Sequence, residues 1–564
     1  MKKWVVSAKR ADFDGIAKKF NISPMLARII RNRDVVSMEE IDRFLNGNLD
    51  NLNDPYLLND IDMGVDITLA TLLGGGKIRI VGDYDVDGVC ATYILYKALK
   101  ILTDDVSYQL PDRIHDGYGL NKAIIDKANE DKIALILTCD NGIAAVDEIR
   151  YAKELGMSVV VTDHHEAPSI LPPADAIIDP KRADSNYPYK DICGAVVAYK
   201  FCQILCEKTN ISLPDDFIQF AAFATECDVM PILDENRIIV KYGLEAMKKT
   251  ENTGLRALID VNGVSRSSLS PYHLGFILGP CVNATGRLDL ASRALELFLT
   301  DDVRRAAQIA NELKELNESR KEMTNDFTGK AIKIVLNGDD NNPVMDNDQV
   351  LVIYLPDCHE SIAGIVAGKV RERYYKPAII LTKGENSVKG SGRSIESYNM
   401  FEALNSVSDI FIKFGGHKMA AGMSLEPEKV NELRDRLNSE ANLSEDDLTE
   451  KIRIDIPMPI RYNTEDFVNE LNLLSPYGVG NPKPIFAQKN LIIKDIRVQG
   501  KSLNVVKLTF EGEDVAGIYY TDGNEFIKEY SIGMKAAIVY SPEINEYMGR
   551  RTVQAVIKEI RPDT

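Results

Sequence analysis

The rhythm of apolar and polar positions changes near residue 77. Before it, short apolar groups broken by polar residues predict short helices and loops ahead of a larger domain. From Lys77 on, the β-branched runs Ile78–Val81, Ile133–Thr138 and Ser158–Thr162 alternate with helix-length stretches near 88–102 and 143–155. Strands alternating with helices predict a doubly wound parallel sheet, covered on both faces, whose ligands bind beyond the carboxyl ends of the strands. Residues 302–336 carry apolar positions at helical spacing among many charges, with no Gly or Pro before Gly329, which predicts a long connecting helix. A second α/β unit is expected over about 350–440. An acidic linker then leads to five short alternating runs, Leu491–Val498, Val505–Phe510, Ala516–Tyr520, Ala536–Tyr540 and Thr552–Ile557. Five such strands in a terminal module suit a small β-barrel of the OB type.

Composition adds limits. At 564 residues the chain exceeds one hydrophobic core, so several domains are expected. The N-terminus lacks a signal-peptide pattern and no apolar run reaches membrane-helix length, so a cytoplasmic protein with no membrane contact is expected. The eight cysteines form no CxxC pair, which suits reduced thiols better than disulfides or a zinc site. A net charge of −18 weighs against nucleic acid only on average. Between Ser361 and Ala420, nine Lys+Arg face five Asp+Glu, whereas Pro427–Glu450 is acidic. The charge is segregated along the chain.

The candidate chemistry sits at strand ends. Gly82-Asp83-Tyr84-Asp85-Val86-Asp87-Gly88 follows the first strand and places three carboxylates at alternate positions, where they repel one another unless a cation lies among them. A lone Asp there would read as a helix cap. Asp140-Asn141-Gly142 ends the next strand and, alone, is equally a turn. Asp163-His164-His165 ends the third, spending two of only six histidines; Asp228 closes an apolar helix. In a doubly wound sheet these ends meet at one edge. Carboxylates with one or two imidazoles suit Mn²⁺ or Mg²⁺. Enough ligands for two ions about 3.5–4 Å apart suits phosphoester hydrolysis.

With these motifs the chain resembles the DHH phosphoesterases, and its further motifs resemble the RecJ-type exonucleases among them. Those motifs are Leu110-Pro-Asp-Arg113 with Gly117-Tyr-Gly-Leu120, Gly279-Pro-Cys-Val-Asn283-Ala-Thr-Gly-Arg287-Leu288, His359-Glu360, and Lys389-Gly-Ser-Gly-Arg393-Ser394. Phe414-Gly-Gly-His417 with Ala421-Gly422, and Leu474-Ser-Pro-Tyr-Gly-Val-Gly-Asn-Pro-Lys-Pro-Ile-Phe486, complete the set. The resemblance implies that Asp83, Asp85 and Asp140 hold one Mn²⁺ or Mg²⁺. It implies that Asp87, Asp140, His164 and Asp228 hold the other. His165 would orient the site or touch the scissile phosphate, and Asp163 would support the histidines. Arg287, Ser391 and Arg393 would bind a terminal 5′-phosphate; Asn283 belongs to the same nucleic-acid surface, and Arg113, His359 and His417 would contact phosphates near the scissile bond. Two positions depart from the family pattern: Cys358 stands where Trp is usual, and Glu226 where an apolar residue is typical.

The expected architecture is an N-terminal helical segment (1–70), a DHH catalytic domain (71–300), a connector helix (301–340), a DHHA1 substrate domain (341–445) and an OB-like domain (446–564), with a basic cleft between the DHH and DHHA1 domains. The expected activity is 5′→3′ hydrolysis of single-stranded DNA to 5′-mononucleotides in repair and recombination. The resemblance implies a monomer working with a helicase and a single-strand-binding protein. The alternatives are a DHH-family phosphodiesterase for oligonucleotides or cyclic dinucleotides, which would have no use for the terminal β module, and a catalytically inactive DNA-binding scaffold, which would have no reason to keep the ligands.

Overall fold

Five parallel strands make the sheet that the β-branched runs predict. They are Lys77–Val81, Val106–Gln109, Ile133–Cys139, Ser158–Thr162 and Ala176–Ile178. The second and fifth, four and three residues long, are too short to stand out in the pattern. The computed structural model describes residues 2–111, 119–288, 291–385, 387–547 and 549–563. Across the sheet the strands run second, first, third, fourth, fifth. The winding therefore reverses between Lys77–Val81 and Ile133–Cys139, the switch point where doubly wound sheets bind ligands.

Both faces are covered. Val159 and Val161 join a core with Ile124, Ile125, Ile149 and Ala152, on helices Lys122–Glu130 and Val146–Glu154. Val160 faces the other way: with Phe201 it closes over Gly64 of helix Ile61–Leu73, where a β-carbon would lie 3.2 and 3.5 Å from the two side chains. Each fully buried Val or Ile is worth about 1.5–3 kcal/mol, so neither face can be left open.

The chain forms two units, Trp4–Gly279 with Ile452–Thr564, and Met1–Lys3 with Pro280–Lys451. In the first, strands Phe486–Gln499, Val505–Phe510, Ala516–Tyr520, Arg550–Pro562 and Lys535–Tyr547 follow one another round a sheet that closes where Phe486 pairs with Tyr540 and Leu491 with Ala536. This barrel shares its core with the N-terminal helices: Leu26, Ile29, Ile30, Ile41 and Phe44 pack in one cluster with Phe486, Ile493, Phe510 and Tyr540. The buried pair Arg33–Asp455, bidentate at 2.6 and 3.1 Å, ties the same two segments. No short-range pattern could announce a partnership more than 400 residues apart.

In the second unit, strands Phe411–His417, Ala420–Leu425, Val388–Arg393, Ala378–Lys383 and Leu351–Tyr354 form one sheet in that order; the last pair is parallel and the others antiparallel. The long helix spans Val303–Asn337, 35 residues capped by Asp302, and packs Ala331, Ile334 and Val335 against Leu351, Ile353, Ile362 and Val366. The Gly390-Ser-Gly-Arg motif, which could be read as a glycine-rich turn, lies inside a strand paired on both sides. Its glycine is needed for packing: a β-carbon on Gly390 would lie 2.6 Å from Leu381 and 2.7 Å from Met423. Among the described residues no helix is long and apolar enough to cross a membrane.

Candidate metal centre

The first ligand loop is shaped by the helix that follows it. Asp85 caps helix Val86–Leu102, its carboxylate accepting the Gly88 N–H at 3.1 Å. Gly88 allows that tight return, since a β-carbon would sit 2.5 Å from the Asp83 backbone. Asp83 and Asp87 are buried. Asp87 accepts the N–H groups of Gly194 and Ala195 at 2.6 and 2.7 Å, at the start of helix Gly194–Thr209, where unpaired amides and the helix dipole favour an anion.

Across the switch point, Asp140 sits in the left-handed region at φ 59°. The neighbouring Asn141 side chain donates to the carbonyls of Val81 and Cys139 at 3.0 and 2.9 Å, clamping the two strand ends together. Asp163 spends its oxygens on its surroundings. It accepts the N–H groups of Ile143, His164 and His165 at 2.9, 2.7 and 3.2 Å and lies 2.8 Å from His165 Nδ1. This fits a residue that orients the histidines. His164 Nε2 lies 3.1 Å from Asp140, 3.5 Å from Asp87 and 3.7 Å from Asp228.

Three groups have ligand atoms within 4.8 Å of one another: Asp83, Asp85 and Asp140; Asp87, His164 and Asp228; and Asp140, His164 and His165. Burial, then the charges of Asp87, Asp85 and Asp83, pushes Asp140 well above the usual carboxylate range. Burial with Asp87 and Asp85 raises Asp228, and burial with Asp87 raises Asp85. Burial also lowers His164 to about 4, leaving the neutral imidazole that ligates metals. Burial opposes charge on His165, but its bond and attraction to Asp163 outweigh that and lift it to about 9. Asp228 Oδ2 and His164 Nδ1 are buried with no hydrogen-bond partner among the described residues. Mutually repelling carboxylates, a neutral imidazole and unsatisfied donor atoms fit hard divalent cations.

In the second unit, the residues expected to bind phosphate gather near the start of helix Glu360–Tyr374. Arg287 donates to the Ser361 carbonyl, and His359 caps the helix. Arg393 donates to the Gly392 carbonyl at 2.8 Å and to Ser391 Oγ at 3.3 Å. Gly364 leaves the space they use: a β-carbon there would lie 2.7 Å from Arg393 Nη2 and 2.8 Å from Ser391 Oγ. Half-buried Asn283 lies four residues before Arg287 on helix Gly279–Leu288. His417 is exposed at the end of strand Phe411–His417, opposite Ala420. Arg113 lies outside the described residues.

Sequence reading missed the amides of Gly194 and Ala195, because a backbone donor has no letter of its own. The glycine was the available signal: a β-carbon on Gly194 would lie 2.7 Å from the Asp140 β-carbon. Glu226 faces the C-terminal module, with both carboxylate oxygens 3.6 Å from the β-carbon position of Gly478, and burial raises it to about 8. Cys358 is buried in the core under the long helix.

Three family matches divide the chain: the DHH family N-terminal domain over residues 77–225, the DHHA1 domain over 347–443 and the RecJ OB domain over 454–559. The single-stranded-DNA-specific exonuclease RecJ of Bacillus subtilis (strain 168) is 35% identical over 552 residues, covering 96% of this chain and 69% of that one. The RecJ of Salmonella typhimurium is 32% identical, with 96% of each chain covered. Among solved structures, RecJ from Thermus thermophilus in complex with Mn²⁺ matches with a TM-score of 0.85 at 26% identity, covering 100% of this chain and 80% of that one. The chain belongs to the RecJ family of single-stranded-DNA-specific exonucleases within the DHH phosphoesterases.

Proposed function

We propose that this chain is a metal-dependent exonuclease that degrades single-stranded DNA in the 5′→3′ direction and releases 5′-mononucleotides. The observation that carries the reading is the convergence of carboxylates and imidazoles from four segments at the switch point of the sheet, in a chain with the DHH, DHHA1 and OB domains of the RecJ exonucleases. Asp83, Asp85 and Asp140 would hold one divalent ion, and Asp87, Asp140, His164 and Asp228 the other. Bound there, Mn²⁺ or Mg²⁺ would supply the Lewis acidity that phosphodiester hydrolysis needs.

The chain's own groups do the rest. Asp163 fixes the His165 ring, so that His165 meets the scissile phosphate in one orientation. The amides of Gly194 and Ala195 hold Asp87 in place before any substrate arrives. Arg287, Ser391 and Arg393 take the terminal 5′-phosphate, a guanidinium and hydroxyl set suited to that dianion. Arg113, His359 and His417 contact phosphates near the scissile bond, Asn283 belongs to the same nucleic-acid surface, and the β-barrel binds unpaired nucleotides. The enzyme works as a monomer on strands that a helicase opens and a single-strand-binding protein covers.

Polarity is the part to test. With strands labelled at one end only, 5′ label should appear as mononucleotide at the earliest time points and 3′ label only at completion. Arg393→Ala should slow a 5′-phosphorylated strand about tenfold or more and a 5′-hydroxyl strand much less. Early release of the 3′ label, or equal slowing of both strands, contradicts the assignment.

A further inference from the structure

The residue after Asp228 holds a backbone state that its side chain resists. Val229 has φ 61°, in the left-handed region, where a β-branched residue is a true outlier. The position is the left-handed cap of helix Phe217–Cys227, with Val229 N–H donating to the Glu226 carbonyl at 3.3 Å and Met230 N–H to that of Thr225 at 3.1 Å. Such caps favour glycine. Val229 is 63% exposed, so core packing does not account for its presence.

A second element presses on the same helix end. The π-helical turn Leu274–Leu278 sets the Leu274 carbonyl 3.5 Å from Cys227 Sγ. Gly279, just after the turn, has no room for a side chain, as a β-carbon would lie 2.4 Å from that sulfur. This turn and the residues before it present Phe276 and Tyr272, 68% and 61% exposed. Their rings are stacked, 5.2 Å between centroids and 21° between planes. Exposed apolar side chains therefore stand both on the helix end that carries Asp228 and on the turn that packs against it. π-Helical turns and backbone strain of this kind concentrate at functional sites.

We propose that Val229, Tyr272 and Phe276 form the surface on which unpaired bases next to the scissile bond pack. The proposal rests on the exonuclease reading and names a substrate contact for it. Flat rings offer a face to a base, and stacking on aromatic side chains is indifferent to sequence, as a non-specific exonuclease requires. Three side chains are far too few for a stable protein interface, which needs roughly 20–30 residues a side. The surface also discriminates: bases in a duplex already stack on their neighbours and cannot offer a face.

The test is Mn²⁺-dependent digestion by the full chain, comparing a normal single strand with one of the same length carrying abasic sites near its 5′ end. The variants are Tyr272→Ala with Phe276→Ala, and Val229→Gly alone. The unsubstituted chain should show a KM about tenfold higher on the abasic strand. The double variant should show that higher KM on the normal strand, with kcat within about twofold, and no longer tell the two strands apart. Val229→Gly should melt at an equal or higher temperature, because glycine accepts the positive φ, yet bind the normal strand several-fold more weakly. A merely structural valine would not give that pair of results. Unchanged KM in the variants, an equal rise on both strands, or a native chain blind to abasic sites overturns the platform. A native chain that digests no single strand overturns the exonuclease reading, and the platform with it.

Discussion

Single atoms decide whether the ligand loops can meet. Gly194 is the sharpest case, since its missing β-carbon is what allows the start of one helix to lie against Asp140 while its N–H holds Asp87 at 2.6 Å. Gly194→Ala should cost about 1–3 kcal/mol of stability, as overpacking does. It should cost more in rate, since displacing catalytic groups by ~1 Å is worth about 100-fold. Thermal denaturation and turnover at saturating Mn²⁺, measured on one preparation, check this; a loss of stability with unchanged turnover would contradict it. Asp163 makes a complementary point. It was expected to support the neighbouring histidines, and its oxygens are occupied by three amides and a histidine ring.

At the scale of elements, the RecJ-like segment Leu474–Phe486 serves as a seat for Arg237. Burial lowers this guanidinium to about 10, so it stays charged at neutral pH. It has carbonyl acceptors from Phe44, Leu473, Leu474, Ser475 and Pro476 at 2.7 to 3.3 Å, and lies 4.0 Å above the Phe44 ring. One side chain on helix Asp234–Met247 thus ties an N-terminal helix and the approach to the barrel to that helix. Arg237→Ala should destabilise the chain by about 3 kcal/mol or more, because several buried carbonyls lose their donor together. Arg237→Lys, with three donors, should recover only part of that. Denaturation of both variants beside the native chain tests this; an unaltered midpoint for Arg237→Ala would refute the tie.

Across the whole molecule, the legible parts were those written in local pattern. The β-branched runs at 78–81, 133–138 and 158–162, the five strands of the terminal module and the 35-residue helix could be seen because their periodicity lies within their own residues. The ligand set could be seen because acidic and imidazole groups stand at the ends of successive strands. Contacts over long separations were illegible: the barrel sharing a core with residues 16–44, and Arg33 reaching Asp455. So were backbone donors, such as the amides that hold Asp87. The carboxylate and histidine cluster is proposed to hold the ions that hydrolyse a single strand. The measurement that tests it most directly is digestion of an internally labelled single strand across a Mn²⁺ titration, with a duplex control, for the native chain and Asp140→Ala. Mononucleotides are expected from the single strand alone, in proportion to bound Mn²⁺, and only background from Asp140→Ala with its fold intact. Intact DNA bound tightly by the native chain, or undiminished digestion by the variant, would contradict it.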